Sequence, residues 1–315
     1  MRKPSLTVYA LWSVLLASLF VFSPKPVNAS SMPEFSSSIK NSDPVLLANA
    51  VTIHSEILNE DRTIVLRIPP KIKKAPQTPT DVTVLYILDA EKHFASAAAS
   101  AAFFEASRLS SLGPAVVVGV VSTDRTRDFT PTASNAKRDG TIDADAKRLG
   151  GGADKFLAFL TTELRKEAEK RLPDDVRVVR RVLIGHSYGG LFTLHALMKA
   201  PQHFDAYVSL DPSLWWDRGK LARLAAVKGV SGIHKLDRRP VLYAAFASKP
   251  RKENTFHLSE GKRFSDETVA TLERQGIRTY VRFFPDEVHG TVAPPAIFDA
   301  LKVLFASEKP LQHQR

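Results

Sequence analysis

Residues 181–197 read RVLIGHSYGGLFTLHAL. Val182–Gly185 reads as a strand, and its Val182-Leu183-Ile184 run is apolar without a break, as expected of a strand covered on both faces. Leu191–Lys199 reads as a helix. Between the two, Gly185-His186-Ser187-Tyr188-Gly189 matches the pattern G-x-S-x-G. The chain must reverse from strand to helix within these few residues, which forces the central serine into a backbone region that most residues avoid. Side chains on either side of that turn would collide, so glycine is needed at 185 and 189. Gly190 lets the helix come closer still. A serine exposed at a strand–turn–helix junction is the setting in which this pattern marks a nucleophile.

Outward from that junction the chain alternates strands and helices. Val51–Leu58 and Thr63–Ile68 flank the turn Asn59-Glu60-Asp61 and predict an antiparallel start. Val82–Leu88 and Ala115–Val121 are continuous apolar runs, and Phe94–Leu109 between them is Ala-rich and helical. Thr123–Ala153 breaks the rhythm and reads as a long loop, of the kind that usually carries function. Asp154–Arg171 is amphipathic, with Phe156, Leu157, Leu160 and Leu164 on one face. After Ala206–Leu210 come a Trp-rich stretch, the strand Val241–Ala247, a helix at Phe264–Gln275, the last strand Arg278–Phe284 and a closing helix at Pro294–Ala306. The order predicts an α/β fold: about eight strands in a mostly parallel sheet, with helices on both faces. One domain is expected over residues 51–308, followed by a tail at 309–315.

The N-terminus is set apart. Arg2 and Lys3, the apolar run Leu6–Phe22 and the small residues ending at Ala29 read as a signal peptide over residues 1–29. A Ser/Pro/Asn-rich lead-in over residues 30–50 follows. Export predicts a periplasmic or secreted protein without stable membrane insertion once the signal is removed. The chain has no cysteine, which excludes disulfides and thiol catalysis, so stability must come from core burial. Removing Arg2, Lys3 and Lys25 with the signal takes the net charge from +11 to +8. No Lys/Arg block with interleaved aromatics accompanies that charge, and nucleic acid is not an expected partner. No His/Asp cluster has ligand spacing, so neither metal nor organic cofactor is expected.

A serine hydroxyl needs a base to act as a nucleophile at neutral pH. In this kind of fold the base follows the last strand, with the acid between serine and histidine in the chain. His289, in FPDEVHG, occupies that place, and His257 is second. For the acid, Glu253 lies in the loop after the penultimate strand and is the first choice. Asp211, at the end of the strand after the serine turn, is the alternative. Asp286 and Glu287 are too near His289 in the chain to reach round its ring. The oxyanion of an acyl-transfer intermediate needs two N–H donors. Tyr188 offers one, and the segment Asp89-Ala90-Glu91, centred on Ala90, offers the other.

Together the segments LYILDAEKHF (85–94), STDRTRDFTPT (122–132), GHSYGGLF (185–192), LDPSLWWD (210–217) and FPDEVHGTV (284–292) resemble the α/β-hydrolase branch that includes esterase D and the siderophore esterases. The likeness runs over most of residues 51–308 and is strongest to periplasmic hydrolases of catecholate trilactones. It implies the α/β-hydrolase fold, Ser187 and His289 as the catalytic pair, and Arg125, Arg127, Trp215 and Trp216 at the substrate cleft. Some members of that group work with Ser and His alone. Guanidinium groups and aromatic rings suit a flat, anionic ligand such as a ferric catecholate siderophore, whereas the same residues would also serve to pack a lid and pair with Asp124 and Asp128.

The expected function is therefore hydrolysis of a small-molecule carboxylic ester through an acyl-serine intermediate. Two other readings are carried beside it: a general carboxylesterase or acyltransferase, and a non-catalytic exported binding module.

Overall fold

The structure is a computed structural model that describes residues 48–73, 79–108, 110–249 and 255–306. The signal peptide, most of the lead-in, Glu253 and the C-terminal tail lie outside these residues.

Eight strands form one sheet: β1 (Asn49–Ser55), β2 (Glu60–Arg67), β3 (Thr80–Leu88), β4 (Ala115–Val120), β5 (Val176–His186), β6 (Ala206–Leu210), β7 (Val241–Ala247) and β8 (Arg278–Phe284). Their order across the sheet is β1-β2-β4-β3-β5-β6-β7-β8. β1 pairs antiparallel with β2 and β2 with β4, and every pair from β4 to β8 is parallel. This is the α/β-hydrolase arrangement that the sequence predicted. The first strand begins at Asn49, two residues inside the expected lead-in.

Side chains of period two explain why the central strands are apolar throughout. In β3, Val82, Val84, Tyr86 and Leu88 face one core, while Leu85 and Ile87 face the other. In β7, Leu242, Ala244 and Phe246 face the first core, and Tyr243, Ala245 and Ala247 the second. The second core is closed by α1 (Ala90–Ala106) and the C-terminal helix, which meet through the Phe104 and Phe298 rings at 4.8 Å. Gly119 lets α1 lie close against β4: a Cβ there would stand 2.6 Å from the Phe94 ring and 2.7 Å from the Ala90 methyl.

The first core lies under α2 (Ala153–Phe159), α3 (Tyr188–Lys199) and α4 (Lys220–Lys228), and α5 (Thr255–Arg263) meets it where Gly261 lies against the Phe246 ring. The Phe129, Phe156, Phe159 and Phe192 rings form its centre. The C-terminal helix, α6, spans Ala293–Leu304. Two long helices contain a π turn, at Leu160–Leu164 and Phe264–Thr268.

The long segment after β4 is tied down at its base. Arg62 of β2 is 1% exposed and donates to Asp128 at 2.5 Å, and Asp128 also accepts from Arg127 at 2.7 Å. Glu60 accepts from both terminal guanidinium nitrogens of Arg127, at 3.0 and 2.6 Å. Burying Arg62 without these carboxylates would cost several kcal/mol, so β2 and the Arg125–Phe129 turn are held together by charge.

The turn at Ser187 is the tightest place in the fold. A Cβ on Gly185 would fall on the carbonyl group of Gly189, and one on Gly190 would stand 2.9 Å from the Leu210 carbonyl oxygen of β6. Gly185→Ala should therefore destabilise the protein by roughly 3 kcal/mol, since neither backbone can give way. Gly290→Ala, where a Cβ meets nothing within 4 Å, should change stability by less than about 0.5 kcal/mol. Urea midpoints of the two variants measure the contrast, and equal midpoints would contradict the packing described.

Candidate active site

Three strands of the parallel sheet end in a residue of positive φ: Asp89 after β3 (φ 53°), Ser187 after β5 (φ 62°) and Asp211 after β6 (φ 41°). Each is a non-glycine residue in a sparsely populated region, and such strain collects at functional sites. Backbone hydrogen bonds hold the last two in place. Ser187 N–H donates to the Leu210 carbonyl at 2.9 Å, and Ser213 N–H donates to the Ser187 carbonyl at 3.1 Å. Asp211 N–H donates to the Ala245 carbonyl at 2.7 Å. His289 stands in the short connection between β8 and α6.

These positions converge. Ser187 Oγ donates to His289 Nε2 at 3.0 Å, and His289 Nδ1–H donates to Asp211 Oδ2 at 2.5 Å. The other oxygen of Asp211 accepts the Ala247 N–H at 3.0 Å. Asp211 is fully buried. Burial by itself would raise its carboxyl, but the facing His257 and His289 outweigh that and hold it well below the usual carboxylate range. A serine, an imidazole and an ionised carboxylate in this sequence can form a nucleophile, a base and the group that fixes the base's tautomer. Of the two acids weighed from the sequence, it is Asp211, the second choice, that touches His289. Glu253 lies outside the described residues.

The candidate oxyanion donors also come together. The first amides of a helix have no partner inside it, and Tyr188 and Ala90 open α3 and α1. The two helix starts adjoin: a Cβ on Gly189 would lie 3.4 Å from Asp89 Oδ2 and 3.5 Å from the Leu88 Cβ. Asp89 is clamped by Arg125 at 2.5 and 3.0 Å and by Ser122 Oγ at 2.5 Å, which fixes the loop that carries Ala90.

An open cleft of about 400 Å³ lies over Ser187. Its walls are Lys92, His93, Arg125, His186, His289, Gly290, Ala293 and Pro294. Lys92, Arg125 and three imidazoles line it and no carboxylate is among its wall residues. Arg125 is paired with Asp89, so the positive charge offered to a guest rests chiefly on Lys92. Arg125 lines the cleft, while Arg127, which is not among its wall residues, is bound to Glu60 and Asp128. Trp216 is buried and donates from its indole N–H to the Thr132 carbonyl at 2.9 Å. Trp215 packs against the Tyr188 ring at 5.9 Å. The two indoles support the residue next to Ser187 rather than line this cleft. Lys92, His93 and His186 were not singled out from the sequence. Only their place in the first turn of α1 or beside the serine hinted at them.

A model of the family described as "Putative esterase" matches residues 55–277. The chain belongs to that family. It is 28% identical over 261 residues to the ferri-bacillibactin esterase BesA of Bacillus subtilis, covering 80% of this chain and 88% of that protein. It is 30% identical over 246 residues to the siderophore enterobactin esterase of Emericella nidulans, covering 70% of this chain and 81% of that one. An IroE-like serine hydrolase from Shewanella oneidensis superposes with a TM-score of 0.69 at 28% identity, over 82% of this chain and 80% of its own. The chain is a carboxylic ester hydrolase, as the sequence predicted.

His186 in this esterase supports His289. Its Nε2–H donates to the carbonyl of His289 at 2.8 Å, and its ring lies 4.7 Å from the His289 ring. Burial, helped by the neighbouring His289 and His93, pushes its imidazole down from 6.5 to about 3. An unfolded chain binds the proton that the folded chain refuses across this interval. The stability His186 contributes is therefore complete above pH 6.5 and is lost as the pH falls toward 3. His186→Gln keeps a donor for the His289 carbonyl and cannot titrate. Its Tm should fall less than that of the unaltered protein between about pH 7 and about pH 4. Parallel Tm curves in the two proteins would contradict a buried, neutral His186.

Proposed function

We propose that the protein is an exported serine esterase that opens the ester bonds of catecholate siderophores, with Ser187, His289 and Asp211 as its triad. The observation that carries the reading is the continuous contact Ser187 Oγ–His289 Nε2–Asp211, at 3.0 and 2.5 Å, beneath a cationic cleft. Ser187 attacks the ester carbonyl while His289 takes its proton, and the oxyanion that forms accepts from the Tyr188 and Ala90 amides. The tetrahedral intermediate collapses, His289 returns the proton to the leaving alcohol, and an acyl-Ser187 remains. Water activated by the same imidazole then attacks this acyl group, releasing the acid and restoring Ser187. Asp211 keeps the His289 proton on Nδ1, so that Nε2 is free to accept.

The substrate class rests on three things: the siderophore esters named for two relatives, the positive chain, and the Lys92 and Arg125 walls of the cleft. A catecholate trilactone presents three ester bonds, aromatic faces and, with iron bound, negative charge. Export rests on the signal-like residues 1–29. Among the described residues no helix is long and apolar enough to cross a membrane.

Ser187→Ala should lower kcat on p-nitrophenyl acetate by about five powers of ten or more, and Asp211→Asn by about four. A fluorophosphonate should label the unaltered protein and leave Ser187→Ala unlabelled. Activity of Ser187→Ala above about a hundredth of the original would remove the assignment.

Substrate choice is read from salt. Steering by a positive cleft raises the encounter rate with an anion and fades as ions screen the charges. kcat/KM on a ferric catecholate trilactone should exceed that on p-nitrophenyl butyrate and drop the more steeply with added salt. Lys92→Gln, altering an exposed side chain of the cleft wall, should narrow both differences. A protein that prefers the simple ester at every ionic strength is a general carboxylesterase instead.

A further inference from the structure

The Asp211 carboxylate has a second imidazole beside it. His257, on α5, is 3% exposed, and its Nε2 lies 3.0 Å from Asp211 Oδ1. Its ring stands edge-on to the His289 ring at 5.6 Å. Neither ring nitrogen has a hydrogen bond among the described residues, because the Nε2–Oδ1 approach is close but off line. A buried polar nitrogen left unpaired costs free energy, and this carboxylate is close enough to relieve it.

The close approach also decides where the His257 proton sits. With the proton on Nδ1 alone, the Nε2 lone pair would face a carboxylate oxygen at 3.0 Å, and the two would repel. With the proton on Nε2, a small rotation of the ring aligns a donor with an ionised acceptor, among the stronger hydrogen bonds in proteins.

From this we infer that His257 is a positioning residue for the reaction: its Nε2–H, with the Ala247 amide, holds Asp211 Oδ1 so that Oδ2 points at His289 Nδ1. The carboxylate would then be gripped on one oxygen by two donors and on the other by the base. The role rests on Asp211 acting upon His289, and it reaches the substrate only through them. It accounts for a second imidazole in a place where an apolar side chain would pack without an orphaned nitrogen.

Two measurements test it. Histidine-labelled 15N spectra of the unaltered protein report the tautomer, the His257 signal being the one lost in His257→Gln. A neutral-pH tautomer with the proton on Nε2 is expected, and a proton on Nδ1 alone overturns the proposal whatever the kinetics. In the second, His257→Phe keeps a flat ring without a donor, whereas the Gln amide nitrogen reaches the place of Nε2. His257→Phe should lower kcat roughly three- to tenfold, about what one net hydrogen bond is worth, with KM on p-nitrophenyl butyrate little changed. His257→Gln should recover most of that loss. Equal loss in both variants, or loss in neither, overturns the positioning role. Should the variants fail to fold, the tautomer decides alone, its signal then assigned through couplings within the ring. Ser187→Ala, run in parallel, keeps the two readings apart: its residual activity judges the esterase site itself, independently of His257.

Discussion

A serine at φ 62° can be sustained only where its neighbours have no side chains to place. The turn between β5 and α3 meets that condition at Gly185 and Gly190, where a Cβ would strike backbone; at Gly189, where glycine was also expected to be needed, a Cβ would make only ordinary contact with Asp89 and Leu88. A sparsely populated backbone costs of order 1–3 kcal/mol per residue, and Asp89 and Asp211 bear the same kind of cost beside Ser187. All three lie at the carboxyl ends of neighbouring strands, where parallel pairing leaves a crevice. The strain is local and the restoring force is not: β3, β5 and β6 are fixed by the strands on both sides, so the loops cannot relax without opening the sheet.

What holds the sheet shut is burial on both faces. Tyr86, Tyr207 and Tyr243 are fully buried, and two separate apolar cores bracket the central strands. With no cysteine in the chain, no disulfide replaces these contacts. The buried Arg62, with Asp128 and Glu60, plays a different part. A buried ion pair adds little net stability but penalises any arrangement that separates it. It therefore specifies where the segment after β4 lies, and through Arg125 and Asp89 it reaches the loop that presents Ala90.

The parts legible in the sequence were those written in local chemistry. Val241–Ala247 and Arg278–Phe284 were predicted with the bounds they have. The first is a continuous apolar run of strand length, and the second is rich in aromatic and β-branched residues, as strands are. β5 was predicted too short, as Val182–Gly185, because its first half, Val176-Arg177-Val178-Val179-Arg180-Arg181, is interrupted by arginines and does not look buried. α4 was missed, since Lys220, Arg223 and Lys228 obscure its apolar face. The π turns leave no mark at all, since they alter the pairing of carbonyls and not the spacing of residue types. Ser187 and His289 stood out by motif and chain order. Asp211 could not be preferred over Glu253, because the choice depends on which carboxylate approaches an imidazole 78 residues away. That is a matter of strand order and loop path. Arg125 and Arg127 show the same difficulty: motif guanidinium groups that look ready for a ligand are already paired, with Asp89 in one case and with Glu60 and Asp128 in the other.

The carboxylate that meets His289 comes from the end of β6, one strand nearer to Ser187 than the connection after β7. Because Asp211 is held by the sheet itself, its aim at His289 is set by how β6 pairs with β5 and β7. α5 carries a demand of its own, seating His257 beside Asp211 and Gly261 against the Phe246 ring. For an engineer, the register of β6 against its two neighbours is therefore the dimension to leave untouched.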